Sequence, residues 1–262
     1  MTLEIAAVRA SYGKTRVLGS TAPVTVAFAP GECSAIVGPN GSAKSTLLRV
    51  AAGLHRPDEG RSTLAGRDVR TTPRRELAQE MAFVQQSPTP PPGATVRELV
   101  GLGRHPHVGW HGRWRAEDRD AIESAMDRCG VAAFADRVVG TLSGGERQRS
   151  WIALAVAQHP KVMLLDEPTS ALDLRHQLEV LDLVRTLCVE DGMTAVIVLH
   201  DLNSASRFAD RIVAMREGQI VADGSPVEVL TGETVARVLG VRAEVRTDGP
   251  EGRPLCVPIE PI

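Results

Sequence analysis

Lys44 is one of only three lysines among 30 basic side chains, the others being Lys14 and Lys161. It lies in Gly38-Pro39-Asn40-Gly41-Ser42-Ala43-Lys44-Ser45-Thr46, directly after the apolar run Ser34-Ala35-Ile36-Val37. In a chain that otherwise uses arginine, a compact ammonium here suits a gap between phosphate oxygens too narrow for a guanidinium fork. The glycines let backbone N–H groups approach an anion, and Ser45 offers a hydroxyl suited to Mg²⁺ as the next helix opens. The segment reads as a loop that binds a nucleoside triphosphate; the plainer alternative is an ordinary Gly-rich strand-to-helix turn. The usual pattern carries Gly immediately before the Lys, and Ala43 stands there instead. Its methyl group is expected either to crowd the phosphate or to restrict the backbone, with a modest loss of nucleotide affinity relative to Gly.

Two further segments carry chemistry. Asp166-Glu167 follows the apolar run Val162-Met163-Leu164-Leu165, and the carboxyl ends of buried parallel strands are where open sheets place ligands. Next to a phosphate loop, the first carboxylate suits Mg²⁺ and the second suits polarising a water; alone, the pair is an acidic turn. Leu142-Ser143-Gly144-Gly145-Glu146 precedes a helical run with Ile152, Leu154, Ala155 and Val156. Ser143 and two glycines at a helix N-terminus form a second anion-binding device. A plain Ser-capped start explains Ser143 but not Gly144 and Gly145. One nucleotide does not need two such cradles, so the second is expected to reach a nucleotide held by another chain.

These residues need a scaffold. Residues 3–37 read as short strands broken by turns, Val24–Phe28 among them, and a helix from Ser45 carries Leu47, Leu48 and Val50 before Gly53. Residues 56–85 look like a second turn-rich strand region with a short helix near Pro73–Gln79. Prolines 88, 90, 91 and 92 exclude a helix interior. Beyond them, Val96–Leu102 and Ala116–Cys129 have helical spacing, which suggests a helical insertion over about 94–160. Val162–Leu165, Ala195–Leu199 and Ile212–Met215 read as parallel strands buried on both faces. Leu174, Leu178, Leu181, Val184 and Cys188 mark a crossover helix. The alternation is α/β about a parallel sheet. The tail, 241–262, is expected to form either a strand pair or a regulatory extension.

Composition narrows the class. The net charge of −2 gives no reason to expect a nucleic-acid partner. Cys33, Cys129, Cys188 and Cys256 lie far apart without a CxxC pair, which argues for reduced thiols in a cytosolic compartment and against zinc or a disulfide framework. No secretory signal is visible at Met1–Ile5, and no apolar run approaches the roughly 20 residues that span a bilayer. Any membrane work would need another chain for the spanning helices.

Over roughly residues 3–240 the sequence resembles the ATP-binding subunits of ABC transporters, with the motifs in the family's order. The resemblance makes Gly38–Thr46 Walker A, Gln86 the Q-loop glutamine, Leu142–Glu146 the signature, Val162–Glu167 Walker B, Ser170-Ala171-Leu172-Asp173 the D-loop and His200 the switch histidine. It puts Tyr12 where the family stacks adenine; packing in the small sheet is the plainer reading of that aromatic. Gln85-Gln86 stands for the commoner Pro-Gln, which leaves Gln85 as an alternative in the Q-loop role. The implied fold is a P-loop NTPase core with a parallel sheet, an N-terminal antiparallel β subdomain and an inserted helical subdomain. Residues 1–240 would form the ATP-binding domain and 241–262 an extension.

The same resemblance implies an ATPase with ATP and Mg²⁺ as its cofactors. Lys44, Gln86, Glu167 and His200 would act in catalysis; Ser45, Gln86 and Asp166 would hold the metal. Two copies would pair head to tail, with Ser143 and Gly145 of one capping ATP on the other and Gly144 and Asp173 also among the nucleotide-binding residues, beside transmembrane permease subunits docked near Gln86 and the Pro-rich segment at the cytoplasmic face of the cell membrane. Gly103-Arg104-His105-Pro106-His107, Gly112-Arg113-Trp114 and Leu199-His200-Asp201-Leu202-Asn203 resemble importers of iron–siderophore complexes, haem or cobalamin, which implies an extracytoplasmic substrate-binding protein. His105, His107 and His111 are read as solvated rather than as a metal site. An exporter subunit, or a soluble ATPase of an assembly or remodelling complex, is the alternative. A regulator without turnover is disfavoured by Glu167 and His200.

Overall fold

The computed structural model describes residues 1–86, 88–108, 112–170, 172–249 and 252–262. Strand β1 (Leu3–Tyr12) pairs antiparallel with β2 (Thr15–Leu18) and β3 (Val24–Phe28). Alternate residues of β1 and β3, including Leu3, Ile5, Val24, Val26 and Phe28, turn inward, as a half-buried sheet requires. The fully buried β4 (Cys33–Val37) then leads through the phosphate-type loop into α1 (Lys44–Ala51). Strands β5 (Glu59–Leu64) and β6 (Arg67–Asp68) complete the small antiparallel sheet, with β5 on the opposite edge of β1 from β2.

Helix α2 (Arg74–Glu80) and strand β7 (Met81–Val84) close this half of the chain. A helical arm follows: α3 (Val96–Gly101), α4 (His105–Val108), α5 (Ala116–Arg128) and α6 (Gly144–Ala157). Ile122, Met126 and Cys129 all face the core, as their spacing predicts. A buried ion pair fixes the arm. The Arg104 guanidinium donates to Asp118 Oδ1 at 3.0 Å and to the Ala157 carbonyl at 2.8 Å, tying α5 to the end of α6. Arg75 in turn donates to the carbonyls of Pro106 and His107 at 2.8 and 2.9 Å, and His107 Nε2 lies 2.8 Å from the Gln158 carbonyl. The stretch that resembles importers of iron complexes thus joins the arm to α2, with Arg104, Pro106 and His107 engaged in packing bonds.

Strands β8 (Val162–Leu165), β9 (Thr194–Val198), β10 (Arg211–Arg216) and β11 (Gln219–Gly224) complete the main sheet, order β11-β10-β4-β9-β8-β7. Every neighbour from β10 to β7 is parallel, and β11 is antiparallel at the edge. β8 and β9 are buried throughout, which matches their unbroken apolar runs. The crossover helix α7 (Leu174–Asp191) buries Leu181, Val184 and Cys188, but Leu174, the first residue of the helix, is 71% exposed. Helices α8 (Leu202–Phe208), α9 (Pro226–Val229) and α10 (Gly232–Leu239) follow. The tail is a strand pair, β12 (Val241–Arg246) with β13 (Leu255–Pro261).

Candidate active site

β4 and β8 are separated in the sheet only by β9, so their carboxyl ends bring the phosphate-type loop and Asp166-Glu167 together. Ser45 donates its hydroxyl hydrogen to Asp166 Oδ1 at 2.6 Å. Lys44, only 4% exposed, donates through Nζ to the carbonyls of Gly38 and Pro39, both at 2.9 Å. Burial draws the Lys44 ammonium below the usual lysine value, and Glu167 and Asp166 pull it back up. Burial likewise pushes the Asp166 carboxyl above its ordinary range, against the Ser45 hydrogen bond and the Arg49 guanidinium 3.8 Å away.

The loop is built for close approach. A side chain at Gly38, φ 149°, would sit 2.1 Å from the Met215 carbonyl oxygen. The Ser42 hydroxyl is buried and lacks a hydrogen-bond partner among the described residues. Ala43 has φ 71° and ψ 22°, the left-handed backbone that Gly normally supplies. Of the two effects expected of this alanine, backbone restriction is the one the geometry displays. The helix starts one residue earlier than Ser45, with Ala43 as N-cap and Thr46 buried in the first turn. The first amides of α1 have no acceptor within the helix, which leaves them for an anion.

Glu167, also left-handed at φ 49°, is gripped from two sides. His200 Nε2 lies 2.7 Å from its Oε1, and Gln86 Nε2 donates to its Oε2. Gln86, not Gln85, therefore faces the carboxylate pair; Gln85 borders a separate cleft with Trp151 and Gln158. Asn40, Gly41, Gln86, Glu167, His200 and Asp201 line one cleft of about 680 Å³. Tyr12, 47% exposed at the end of β1, has its ring 4.5 Å from that of His55.

Ser143, Gly144 and Gly145 do not border that cleft. Ser143 caps α6: its hydroxyl accepts the Glu146 N–H at 3.3 Å, while its own N–H donates to the Glu146 carboxylate at 2.8 Å. Gly144 lines a second cleft with Gln86, Pro88 and Trp151, so Gln86 borders both. Gly145 has an intrachain reason that its sequence does not reveal: a Cβ there would come 2.3 Å from His176 Cδ2. Asp173 caps α7, accepting the His176 N–H at 2.9 Å and facing His176 Nδ1 at 2.7 Å. His176 thus joins the Asp173 turn to the α6 start; sequence reasoning missed it, although its position three residues after Asp173 is a readable signal. Arg49, one helical turn beyond Ser45, was missed in the same way. Of the three histidines weighed as ligands, His105 borders an apolar hollow with Trp114, His107 is bonded as above, and His111 lies outside the described residues.

A phosphate-type loop after β4, a Ser–carboxylate contact and a gripped glutamate after β8 match a known family, and residues 21–170 fit the ABC transporter family model. The chain belongs to the ATP-binding subunits of the ABC transporter family. It is 44% identical over 95% of its length to the ferric enterobactin transport ATP-binding protein FepC of Escherichia coli K12, covering 90% of that protein. The petrobactin import ATP-binding protein FpuD of Bacillus anthracis is 41% identical over 98% of this chain and 93% of its own. Among solved structures, an inward-facing metal-chelate type ABC transporter matches with a TM-score of 0.85 at 27% identity, covering 98% of this chain and 97% of that one. A dimeric bacterial ABC transporter cassette, seen also in a post-hydrolysis state bound to ADP and phosphate, matches with TM-scores of 0.74 and 0.73 at 30% identity, over 85% of this chain and 98% of that one. Cassettes of this family bind adenine nucleotides and pair as dimers. Among the described residues, no helix is long and apolar enough to cross a membrane.

Proposed function

We propose that this subunit hydrolyses ATP to energise import of an iron–siderophore complex, haem or cobalamin, at the cytoplasmic face of a permease. An extracytoplasmic protein would deliver the cargo. The observation that carries the ATPase reading is the grip on Glu167 by His200 and Gln86, beside the Ser45–Asp166 contact. In this reading the amides of Gly38–Thr46 and the Lys44 ammonium bind the phosphates, and Tyr12 stacks on the base. Glu167 polarises the attacking water and His200 orients it. The cargo class is supported by the names of the relatives, since the subunit itself need not touch cargo.

Hydroxyl, carboxylate and amide oxygens are the hard donors that suit Mg²⁺. Ser45, Asp166 and Gln86 would hold the ion, whose charge would offset that of the phosphates. The buried Asp166, 2% exposed and raised in pKa, fits a site where a cation favours the charged carboxylate.

The signature residues do not line the ATP cleft of their own chain, which supports the head-to-tail pairing: Ser143, Gly144, Gly145 and Asp173 would complete the site of a second copy. Residues 1–240 would act as the ATP-binding domain, with the helical arm at about 94–160, the permease docked near Gln86 and the Pro-rich segment, and 241–262 appended. Glu167→Gln is expected to slow hydrolysis by roughly 10²–10⁴-fold with ATP binding retained. Wild-type turnover in that variant would remove Glu167 from its role.

A further inference from the structure

We propose that the C-terminal hairpin positions His200, acting through Asn203; this rests on the reading of His200 as the residue that works with Glu167. His200 sits on the short connection between β9 and α8. Upstream it is fixed by the sheet, where the Leu199 N–H donates to the Ile36 carbonyl at 3.0 Å. Downstream its placement depends on α8, a helix of only seven residues, too short to be stable alone.

Asp201 secures the start of α8, accepting the N–H groups of Asn203 and Ser204 at 3.3 and 2.7 Å. Leu202, Ala205 and Phe208 bury its apolar side in the main core, and its remaining polar bonds run to the tail. Asn203 makes a two-point bond to one backbone unit of β13: its Nδ2 donates to the Cys256 carbonyl at 3.1 Å, and the Cys256 N–H donates to its Oδ1 at 2.7 Å. Two bonds through one planar amide fix orientation as well as distance. One turn on, the buried Ser206 hydroxyl donates to the Pro254 carbonyl at 2.7 Å. Arg253 caps the far end, donating through Nη1 to the carbonyls of Ser206 at 3.3 Å and Ala209 at 2.8 Å, which the helix leaves without partners.

The hairpin is itself anchored. Cys256 is buried in the main core, and the Ile262 N–H donates to the Gly240 carbonyl at 2.8 Å. Asn203 stands outside the ATP cleft, whereas its neighbours Asp201 and Ser204 line it. Loosening the Asn203–Cys256 bond lets α8 turn on its core contacts, so that the 2.7 Å contact between His200 and Glu167 lengthens. Asn203 is a positioning residue, and the tail, whose sequence leaves its role open, has a defined task.

The test measures kcat, KM and the ATP dissociation constant on the full chain, for wild type, Asn203→Ala, Asn203→Asp, Arg253→Gln and His200→Ala, and for Asn203→Ala combined with His200→Ala. Asn203→Ala is expected to lower kcat about three- to tenfold, the population shift expected from losing a pair of part-buried hydrogen bonds. KM and the dissociation constant stay within about twofold, a split that general destabilisation does not produce. Asn203→Asp keeps the acceptor for the Cys256 N–H and falls in between; Arg253→Gln gives the same kcat-only loss. In the His200→Ala background the Asn203 substitution adds nothing further. Wild-type kcat in Asn203→Ala, or an undiminished extra loss in the double variant, overturns the proposal. Should Asn203→Ala not fold, Asn203→Asp and Arg253→Gln decide by the same readout. If His200→Ala keeps wild-type turnover, the reading of His200 falls and this inference with it. If His200→Ala is impaired and Asn203→Ala is not, the hairpin inference alone fails.

Discussion

Ala43→Gly isolates the one departure in the phosphate loop. An L-residue in the left-handed region carries about 1–2 kcal/mol of steric cost, and Ala43 is in that region at φ 71° and ψ 22°. Gly removes the strain but adds freedom to the unfolded chain worth about 0.4–1 kcal/mol. The net gain is about 0.5–1 kcal/mol of stability. In a chain of this size 1 kcal/mol moves Tm by about 2–4 °C, so Ala43→Gly should melt about 1–4 °C higher. Ala43 already has the backbone for which Gly is usually required, so the substitution changes the energy of the loop more than its shape. The modest affinity loss expected from sequence therefore becomes chiefly a stability effect, with ATP dissociation constants within about threefold. Thermal unfolding by circular dichroism and ATP titration by calorimetry measure the two quantities separately. An unchanged or lowered Tm refutes the strain reasoning. A tenfold tighter ATP complex would instead make crowding of the phosphate by the methyl group the dominant effect, since that factor needs about 1.4 kcal/mol.

Asp166→Asn should raise Tm at neutral pH while abolishing Mg²⁺-dependent ATP hydrolysis. Burial raises the Asp166 pKa in the fold, so the native state binds this proton more tightly than the unfolded chain does. Its contribution favours the fold at low pH and is lost as pH rises through the native pKa, so the variant's advantage should vanish in acid. Equal Tm values at pH 7 would refute this. Gly145→Ala should destabilise by about 1–3 kcal/mol through overpacking against His176. Urea unfolding should show most of the loss recovered by adding His176→Ala; no recovery would remove that contact as the cause.

The legible parts of this molecule are those whose reason lies within a few residues. Walker A reads from Gly38 to Thr46 because a strand, a turn and a helix start are contiguous. The carboxylates read because a four-residue apolar strand ends on them. The resemblance names Gln86, but setting Gln85 aside required the structure, since neighbouring residues differ in which side of the chain faces Glu167, 81 positions away. The tail is undecided in sequence for the same reason: Asn203 meets Cys256 across 53 residues, through a backbone unit that carries no sequence signal. Leu174 misleads because helical spacing gives the face of a helix but not which of its turns are covered.

The glycines after Ser143 show how one pattern serves two ends. In the sequence, Gly144-Gly145 points to a ligand because a serine cap explains only Ser143. The fold accounts for Gly145 by its approach to His176, and for Ser143 by its capping box with Glu146. Neither use blocks an anion: the Ser143 hydroxyl accepts one N–H and keeps its own hydrogen to donate, and the first amides of α6 have no intrahelical acceptor. What intrachain packing does is fix where this helix end points. His176 lies against both the α6 start and Asp173, so the two segments read as reaching a partner's nucleotide are held next to each other. Pairing of two copies would then present them together, as a single complementary face opposite each phosphate loop.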